Sequence, residues 1–268
     1  MIEALKFEFF RNGLIGGILA SIACGIIGSY VVSKRIVFIS GGISHACFGG
    51  IGIGYFFGFN PLIGALLFGI FSSFLMGKAS LKAKEKEDTI IGVLWAVGMS
   101  LGIILISLSK TYAPDLLSYL FGSILTITDT DIKLMVSLDF FIFISVILFY
   151  KEFLAISFDE EFTRVRGVNV DFFYLFLLFL VAVTTVLLLR VVGIILVISL
   201  MTIPSAIISQ FFYSLKKIMF FSVVLGIFFM IAGLFLSYFF NLPSGATIVL
   251  LSSFFYLISI FISKSLKI

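Results

Sequence analysis

His45 is the only histidine of the chain, and neutral imidazole is the commonest metal-ligating side chain in proteins. It lies in the glycine-rich stretch GGISHACFGGIGIG, residues 41–54, beside Ser44 and Cys47. On a helix, residues three or four positions apart share a face, so His45 shares one with Gly41. One histidine is not a complete metal site. The stretch therefore favours either contact with a passing metal ion or an interhelical hydrogen bond from His45, with the glycines allowing close helix packing.

A second segment, ISFDEEFTRVRGVNV at residues 156–170, has the layout of a short amphipathic helix. Acidic residues open it and arginines close it, which suits the helix dipole, and Gly167 is a suitable stop. Phe158, Phe162 and Val165 would share one face at helical spacing. Two interpretations are open: the helix lies on the lipid surface, or it docks into a groove of a cytoplasmic partner.

The composition places both segments in a membrane protein. The 268 residues are 61% hydrophobic and 12% charged, with a mean hydropathy of +1.27, whereas soluble domains are about half apolar and a quarter charged. The apolar runs are roughly 18–22 residues long, as membrane-spanning helices need, and they do not alternate as barrel strands do. The sequence therefore predicts an all-α polytopic membrane protein.

Nine spans are predicted, with eight as the alternative count. They cover about residues 13–32, 36–58, 61–77, 89–109, 132–150, 171–189, 191–212 and 218–240, and a last run that ends before Lys264. Residues 110–131 are predicted to form a helix that lies on or dips into one membrane face. Residues 151–170 are polar and include the short amphipathic helix of residues 156–170.

The basic residues set the expected orientation. With alternating spans, one side receives 13 of the 18 lysines and arginines: Lys34, Arg35, Lys78, Lys82, Lys84, Lys86, Lys151, Arg164, Arg166, Lys216, Lys217, Lys264 and Lys267. The positive-inside rule makes this side cytoplasmic. The N-terminus is then expected outside and the C-terminus inside.

Several function classes are disfavoured. No GxxxxGK[ST] loop occurs, so any ATP hydrolysis belongs to another chain. Ser44 and His45 are adjacent and point about 100° apart on a helix, and no second histidine exists to activate a serine. The net charge of +4 reflects membrane orientation and not nucleic-acid binding. We therefore predict that this chain is not an enzyme.

Six stretches in order resemble one protein family, the membrane subunits of ABC importers for zinc, manganese or iron(II). They are VVSKRIVFISGGISHACFGG at 31–50, DTIIGVLWAVGMSLGIILIS at 88–107, DLLSYLFGSILTITDTDI at 115–132, FDEEFTRVRGV at 158–168, RVVGIILVISLMTIPSAI at 190–207 and LPSGATIVL at 242–250. The resemblance implies one permease domain over residues 1–268 in the bacterial cell membrane. It also implies a homodimer with the metal path at its interface, a cytoplasmic P-loop ATPase subunit and an extracytoplasmic metal-binding protein.

The resemblance also assigns roles within the cytoplasmic segment. The loop that matches residues 158–167 is the coupling helix that sits in the ATPase groove. Asp159 and Glu161 fall on its acid-x-acid positions and Gly167 on its closing glycine. The expected coupling residues are Phe158, Asp159, Glu161, Phe162, Arg164 and Gly167.

The serine-histidine-alanine stretch of the family matches residues 44–46, which makes His45 the metal-path candidate. Relatives commonly carry an acid one turn earlier, where this chain has Gly41. Cys47, Ser44, a second copy of His45 or water would complete the site. The transported ion is expected to be zinc or manganese, with ATP bound to the partner and no cofactor in this chain.

Two alternatives remain open from the sequence. One is a permease for a metal chelate such as haem or a corrinoid, which would need a wider path. The other is a secondary transporter that works without ATP. Such proteins often have charged residues at the membrane midplane, and the lack of an evident acid pair for proton coupling counts against this reading.

Overall fold

Helices form all the regular structure in the described part of the chain, which in this computed structural model is residues 7–82, 87–109, 119, 122 and 127–265. This confirms the predicted all-α class. The helices are α1 (Glu8–Ser33), α2 (Val37–Phe57), α3 (Pro61–Lys82), α4 (Glu87–Leu108), α5 (Asp129–Leu148), α6 (Tyr150–Phe158), α7 (Glu160–Val165), α8 (Val170–Val192), α9 (Ile194–Ser209), α10 (Leu215–Phe240) and α11 (Ser244–Ser265).

Seven of the helices in the described ranges are long and apolar enough to cross a membrane, or eight if α5 and α6 form one bent span. The predicted count of nine is not confirmed. Helix α9 has only 16 residues, fewer than the 20 or so that a helix needs to cross the hydrocarbon core. Helices α5 and α6 meet at an angle of 74°.

Helix α6 (Tyr150–Phe158) is not predicted by the sequence, which indicates only that residues 151–170 are polar. Its Phe153 and Ile156 are buried, and they lie three positions apart on one helical face. The ring of Phe153 packs beside those of Phe149 and Phe176, with centroids 6.3 and 5.9 Å away. Aromatic packing therefore stabilises a helix in a segment whose composition is polar. The surface helix predicted at 110–131 lies largely outside the described residues.

The helices group into two compact units. The first comprises Met1–Ser33, Leu117–Ile147 and Leu188–Ile268, and the second comprises Lys34–Leu116 and Leu148–Leu187. Helices α1, α5, α9, α10 and α11 thus belong to the first unit. Helices α2, α3, α4, α6, α7 and most of α8 belong to the second.

In the first unit, α1 packs closely against α9 and α10. A Cβ atom added to Gly28 would overlap the backbone of Met201, and one added to Gly25 would lie 2.8 Å from the backbone of Val223. Small residues at such contacts let membrane helices approach closely, which is how they associate where there is no hydrophobic driving force.

In the second unit, α2 packs against both α3 and α4. A Cβ atom on Gly50 would overlap the backbone of Gly64 in α3, and one on Gly52 would lie 2.6 Å from the backbone of Gly102 in α4. Glycine weakens a helix in water by about 1 kcal/mol. In a membrane, however, the backbone has no other hydrogen-bond partners, so the helix persists. The glycines of the 41–54 stretch thus allow the close packing that positions His45.

Candidate functional site

The side chain of His45 projects from α2 onto Trp95 of α4. The two rings are stacked, with centroids 4.2 Å apart and planes 10° from parallel. Trp95 is held in turn by neighbours on both helices: its Nε1 donates to the Sδ atom of Met99 at 3.3 Å, and its ring centroid lies 6.1 Å from that of Phe38. The imidazole therefore has a fixed orientation.

One nitrogen of His45 is buried and the ring as a whole is partly exposed. Nδ1 has no hydrogen-bond partner among the residues that the structure describes, so the interhelical hydrogen bond considered above is not made through this atom. One turn earlier, Gly41 is buried, yet a Cβ atom added to it would meet nothing within 4 Å. Gly92 of α4 is partly exposed, and a Cβ atom added to it would likewise meet nothing within 4 Å. Small open spaces therefore lie beside both glycines.

The structure does not bring Ser44 and Cys47 together with His45. Ser44 is fully buried, donates to the carbonyl of Ser40 at 2.8 Å, and lies 3.4 Å from the hydroxyl of Thr185. Cys47 is fully buried against α3, where a Cβ atom on Gly69 would lie 2.7 Å from its Sγ. Residues two positions apart point to nearly opposite sides of a helix, which explains why Cys47 faces away from His45.

Within the described ranges, no group of three or more His, Cys, Asp and Glu side chains could hold a metal ion. One protein nitrogen can contact a passing ion, but the rest of its coordination shell must come from water or from another chain. His45 in this arrangement suits a transient contact better than a storage site.

The short helix predicted within residues 156–170 is present as α7 (Glu160–Val165). Asp159 is its N-cap: its Oδ1 accepts the backbone N–H of Phe162 at 2.9 Å, which satisfies one of the free N–H groups at the helix start. Thr163 is buried and donates to the carbonyl of Asp159 at 2.5 Å. Gly167 follows the helix with φ +81°, a conformation that glycine adopts without strain.

Three apolar side chains on and next to α7 are uncovered. Phe158, the last residue of α6, and Phe162 and Val165 of α7 are 65%, 53% and 86% exposed. Arg166 lies over the ring of Phe162, with its guanidinium carbon 4.6 Å from the ring centroid. A cluster of exposed apolar residues with a charged rim is typical of an interaction site.

The acidic and basic residues of α7 differ in how they are held. Glu161 is exposed, while Glu160 is partly buried and pairs with Lys34 at 2.5 Å. Arg164 pairs with Asp171, and both side chains are about half exposed. A cavity of about 680 Å³ lies beside α7 and is lined by residues of both charges, among them Lys34, Arg35, Glu160, Glu161 and Arg164.

Sequence reasoning missed Trp95 and Lys34. Trp95 is the only tryptophan of the chain, a signal that could have drawn attention to it, but nothing local connects it to His45. From the sequence, Lys34 is only one of the basic residues that set the expected orientation. Its partner Glu160 is 126 residues away, and no short-range pattern predicts such a pair.

The chain is similar to known membrane proteins over most of its length. An uncharacterized membrane protein of Synechocystis sp. is 49% identical over 97% of this chain and 92% of its own length. The manganese transport system membrane protein MntC of Listeria monocytogenes is 36% identical over 95% of this chain and 91% of its own. Among solved structures, PsaBC from Streptococcus pneumoniae in complex with Fab is 32% identical, with a TM-score of 0.86 over 96% of this chain and 93% of that one.

The match to a family extends over nearly the whole sequence. Residues 6–263 match the sequence pattern of the ABC 3 transport family. That range contains both the His45 stretch and α7. With this coverage, and with relatives of similar length well above 30% identity, the chain belongs to the ABC 3 transport family.

Proposed function

We propose that this chain is the permease subunit of an ATP-driven importer of a divalent metal ion, with manganese as the first candidate and zinc as the second. The chain is a multi-pass protein of the bacterial plasma membrane. Two copies would form the transport path, and each would work as one permease domain over residues 1–268. An ATPase subunit on the cytoplasmic side and a metal-binding protein outside complete the importer.

The observation that carries the proposal is the uncovered apolar face of α7 in a chain of this family. Phe162 and Val165 lie on α7, whose start is capped by Asp159, and Phe158 ends α6. All three side chains are more than half exposed. A preorganised helix with apolar anchors fits the groove of a partner and loses little entropy on binding. Glu161 and Arg164 at the rim would set its register through charge.

The choice of manganese rests on the relatives and on the chemistry of His45. A relative 36% identical is named for manganese transport. Imidazole also suits zinc, whereas Mn²⁺ favours carboxylate, carbonyl and water oxygens. A single imidazole with water is compatible with a hydrated Mn²⁺ ion that passes without being held. Ser44 and Cys47 remain candidates only for indirect roles, because both are fully buried on other sides of α2.

We further propose that α7 faces the cytoplasm, with the N-terminus outside and the C-terminus inside. This arrangement needs an odd number of spans, so it counts the bent pair α5 and α6 as one span and the short helix α9 as another. The basic turn at residues 34–35, the end of α3 at 80–81 and helix α7 line one cavity, so these segments lie at one end of the second unit. The positive-inside rule makes that end cytoplasmic. Reporter fusions at both termini test this: alkaline phosphatase activity on a C-terminal fusion would contradict the orientation.

Metal content of cells tests the function directly. Cells with and without this chain are grown on chelator-limited medium, and their manganese, zinc and iron are measured. Selective loss of manganese supports the proposal and identifies the ion. Unchanged contents of all three, in cells that express the operon, contradict it and turn attention to metal chelates or to transport without ATP.

A substitution in α7 tests the coupling to ATP. Glu161→Arg reverses the charge of an exposed residue at the start of this helix, and we expect it to abolish uptake while the protein still folds. Glu161→Gln is the matched control, because it removes the charge without reversing it and should retain part of the uptake. Normal ATP-driven uptake by the arginine variant would overturn the assignment of α7.

A further inference from the structure

Lys34 is a buried cation in the turn between α1 and α2. Its side chain is only 6% exposed, although lysine is among the residues least often buried. Burying an ammonium group is costly unless charged or polar partners surround it. The groups around the Lys34 ammonium must therefore offset this cost.

Three groups from three different helices surround the ammonium. Its Nζ pairs with Oε1 of Glu160, the first residue of α7, at 2.5 Å, and donates to the carbonyl of Ile156 in the last turn of α6 at 2.8 Å. It also lies 4.9 Å from the ring centroid of Tyr174 in α8. The hydroxyl of Tyr174 donates to Ser80 of α3 at 2.9 Å. One lysine thus ties the start of α7 to the surrounding helices of the second unit.

The backbone of Lys34 is directly joined to the helix that carries His45. Helix α2 begins at Val37, three residues after Lys34, and His45 lies two turns further along. A helix with continuous hydrogen bonds moves as a rod over such a distance. A displacement of Glu160 therefore pulls on the turn from which α2 starts.

The other ion pair of this segment provides a contrast. Arg164 and Asp171 are both about half exposed, so water screens their attraction and the pair contributes little. The side chains of Lys34 and Glu160 are 6% and 32% exposed, so water and salt screen their attraction less. The Lys34–Glu160 ion pair therefore joins α7 to the turn before α2.

We propose that Lys34 is a positioning residue that carries the movement of α7 into α2 and so to His45. This inference rests on the proposed function, in which an ATPase subunit moves α7. The lysine touches no transported ion. It determines whether the ATPase, once bound, changes the region around His45.

Hydrogen–deuterium exchange tests this proposal. Exchange of the full chain is measured in three samples: the chain alone, its purified complex with the co-purifying P-loop ATPase subunit, and that complex with ATP and vanadate. In the unmodified chain we expect the ATPase to protect residues 158–167 and the nucleotide to change exchange in residues 37–57. In Lys34→Met we expect protection of 158–167 to remain and the nucleotide-dependent change in 37–57 to be lost.

Three further variants make the result specific. Lys34→Arg keeps the positive charge and the hydrogen-bond donors, and the cavity of about 680 Å³ beside it has room for the larger guanidinium. This variant should therefore show the nucleotide-dependent change of exchange in residues 37–57. Lys34→Met combined with Glu160→Gln leaves no unpaired carboxylate beside position 34, and it keeps the test valid if the single variant does not fold. Asp171→Asn breaks only the exposed pair and should respond like the unmodified chain.

The outcomes separate the two proposals. Absence of ATPase-dependent protection at 158–167 in the unmodified chain contradicts the proposed function. Protection there with no nucleotide-dependent change in 37–57 leaves that function standing and overturns the role of Lys34. A full change in 37–57 in the folded lysine-free variants also overturns it.

Discussion

The imidazole of His45 lies flat against the indole of Trp95, with ring centroids 4.2 Å apart and planes 10° from parallel. Turning the imidazole about its last torsion would break this stacked contact. The indole is itself held by the bond from its Nε1 to Met99. Helix α4 therefore fixes the orientation of the His45 imidazole.

Replacing Trp95 should impair transport without removing the imidazole. We expect Trp95→Ala to lower the initial rate of manganese uptake by about 10-fold or more, the range typical of residues that orient a metal ligand. Trp95→Phe keeps an aromatic face and should retain most of the rate. The measurement is manganese uptake in cells that lack other manganese importers.

Phe221→Leu is the control for loss of an aromatic contact. Its ring stacks on Phe212 with centroids 4.9 Å apart, in the other compact unit, and we expect normal uptake. An unchanged rate in Trp95→Ala, with the protein present in the membrane at its usual level, would show that the stack has no part in transport.

His45→Phe separates a metal contact from a packing role. Phenylalanine preserves a flat ring against Trp95 but has no nitrogen. If His45 touches the ion, manganese uptake falls to background while the protein is recovered in its usual yield. Because Nδ1 makes no hydrogen bond within the described chain, removing it should cost little stability. Retained uptake in His45→Phe would assign the histidine to packing.

Apolar residues of α7 should matter for partner binding and not for folding. Phe162 and Val165 are 53% and 86% exposed, and exposed substitutions usually change stability by no more than about 0.5 kcal/mol. We expect the double variant Phe162→Ala, Val165→Ala to lose the co-purifying ATPase. Tyr213→Ala, which also removes an exposed aromatic residue, is the control and should retain it. Full recovery of the ATPase by the double variant would place its docking surface elsewhere.

The sequence predicted the features that depend on local pattern. The apolar runs indicate an all-helical membrane protein, and the order of acids, arginines and glycine in 156–170 indicates α7, whose cap by Asp159 and stop at Gly167 are both present. Local pattern could not predict that Phe153 and its aromatic neighbours would continue the chain as α6. It also could not predict the 74° bend before α6.

Features that depend on distant contacts could not be predicted. Proximity in sequence grouped Ser44 and Cys47 with His45, but helical geometry turns them towards other neighbours. Trp95 is the neighbour of His45, and Lys34 is the neighbour of Glu160. Packing of helices that are distant in sequence brings each pair together.

Two glycines of α2 should respond in opposite ways to the same substitution. A Cβ atom on Gly50 would overlap the carbonyl of Gly64, while one on Gly41 would meet nothing within 4 Å. We expect Gly50→Ala to destabilise the protein by about 1–3 kcal/mol, as overpacking does, and Gly41→Ala to leave it unchanged or slightly more stable. Thermal unfolding in detergent, followed by the fluorescence of Trp95, measures both. Equal melting temperatures would contradict the close approach of α2 and α3.

Gly41→Asp should convert a transient contact into a retained site. Position 41 is one turn before His45 on the same face, and the open space there accommodates a side chain. A carboxylate is a favoured ligand for Mn²⁺, and a path that binds its ion too tightly cannot release it. We expect this variant to retain more manganese after purification, as measured by mass spectrometry, and to take it up more slowly. Added manganese should raise its melting temperature, because a ligand stabilises the state that binds it. Gly41→Asn has the same shape without the charge, so equal metal retention by the two variants would show that position 41 does not lie on the ion's path.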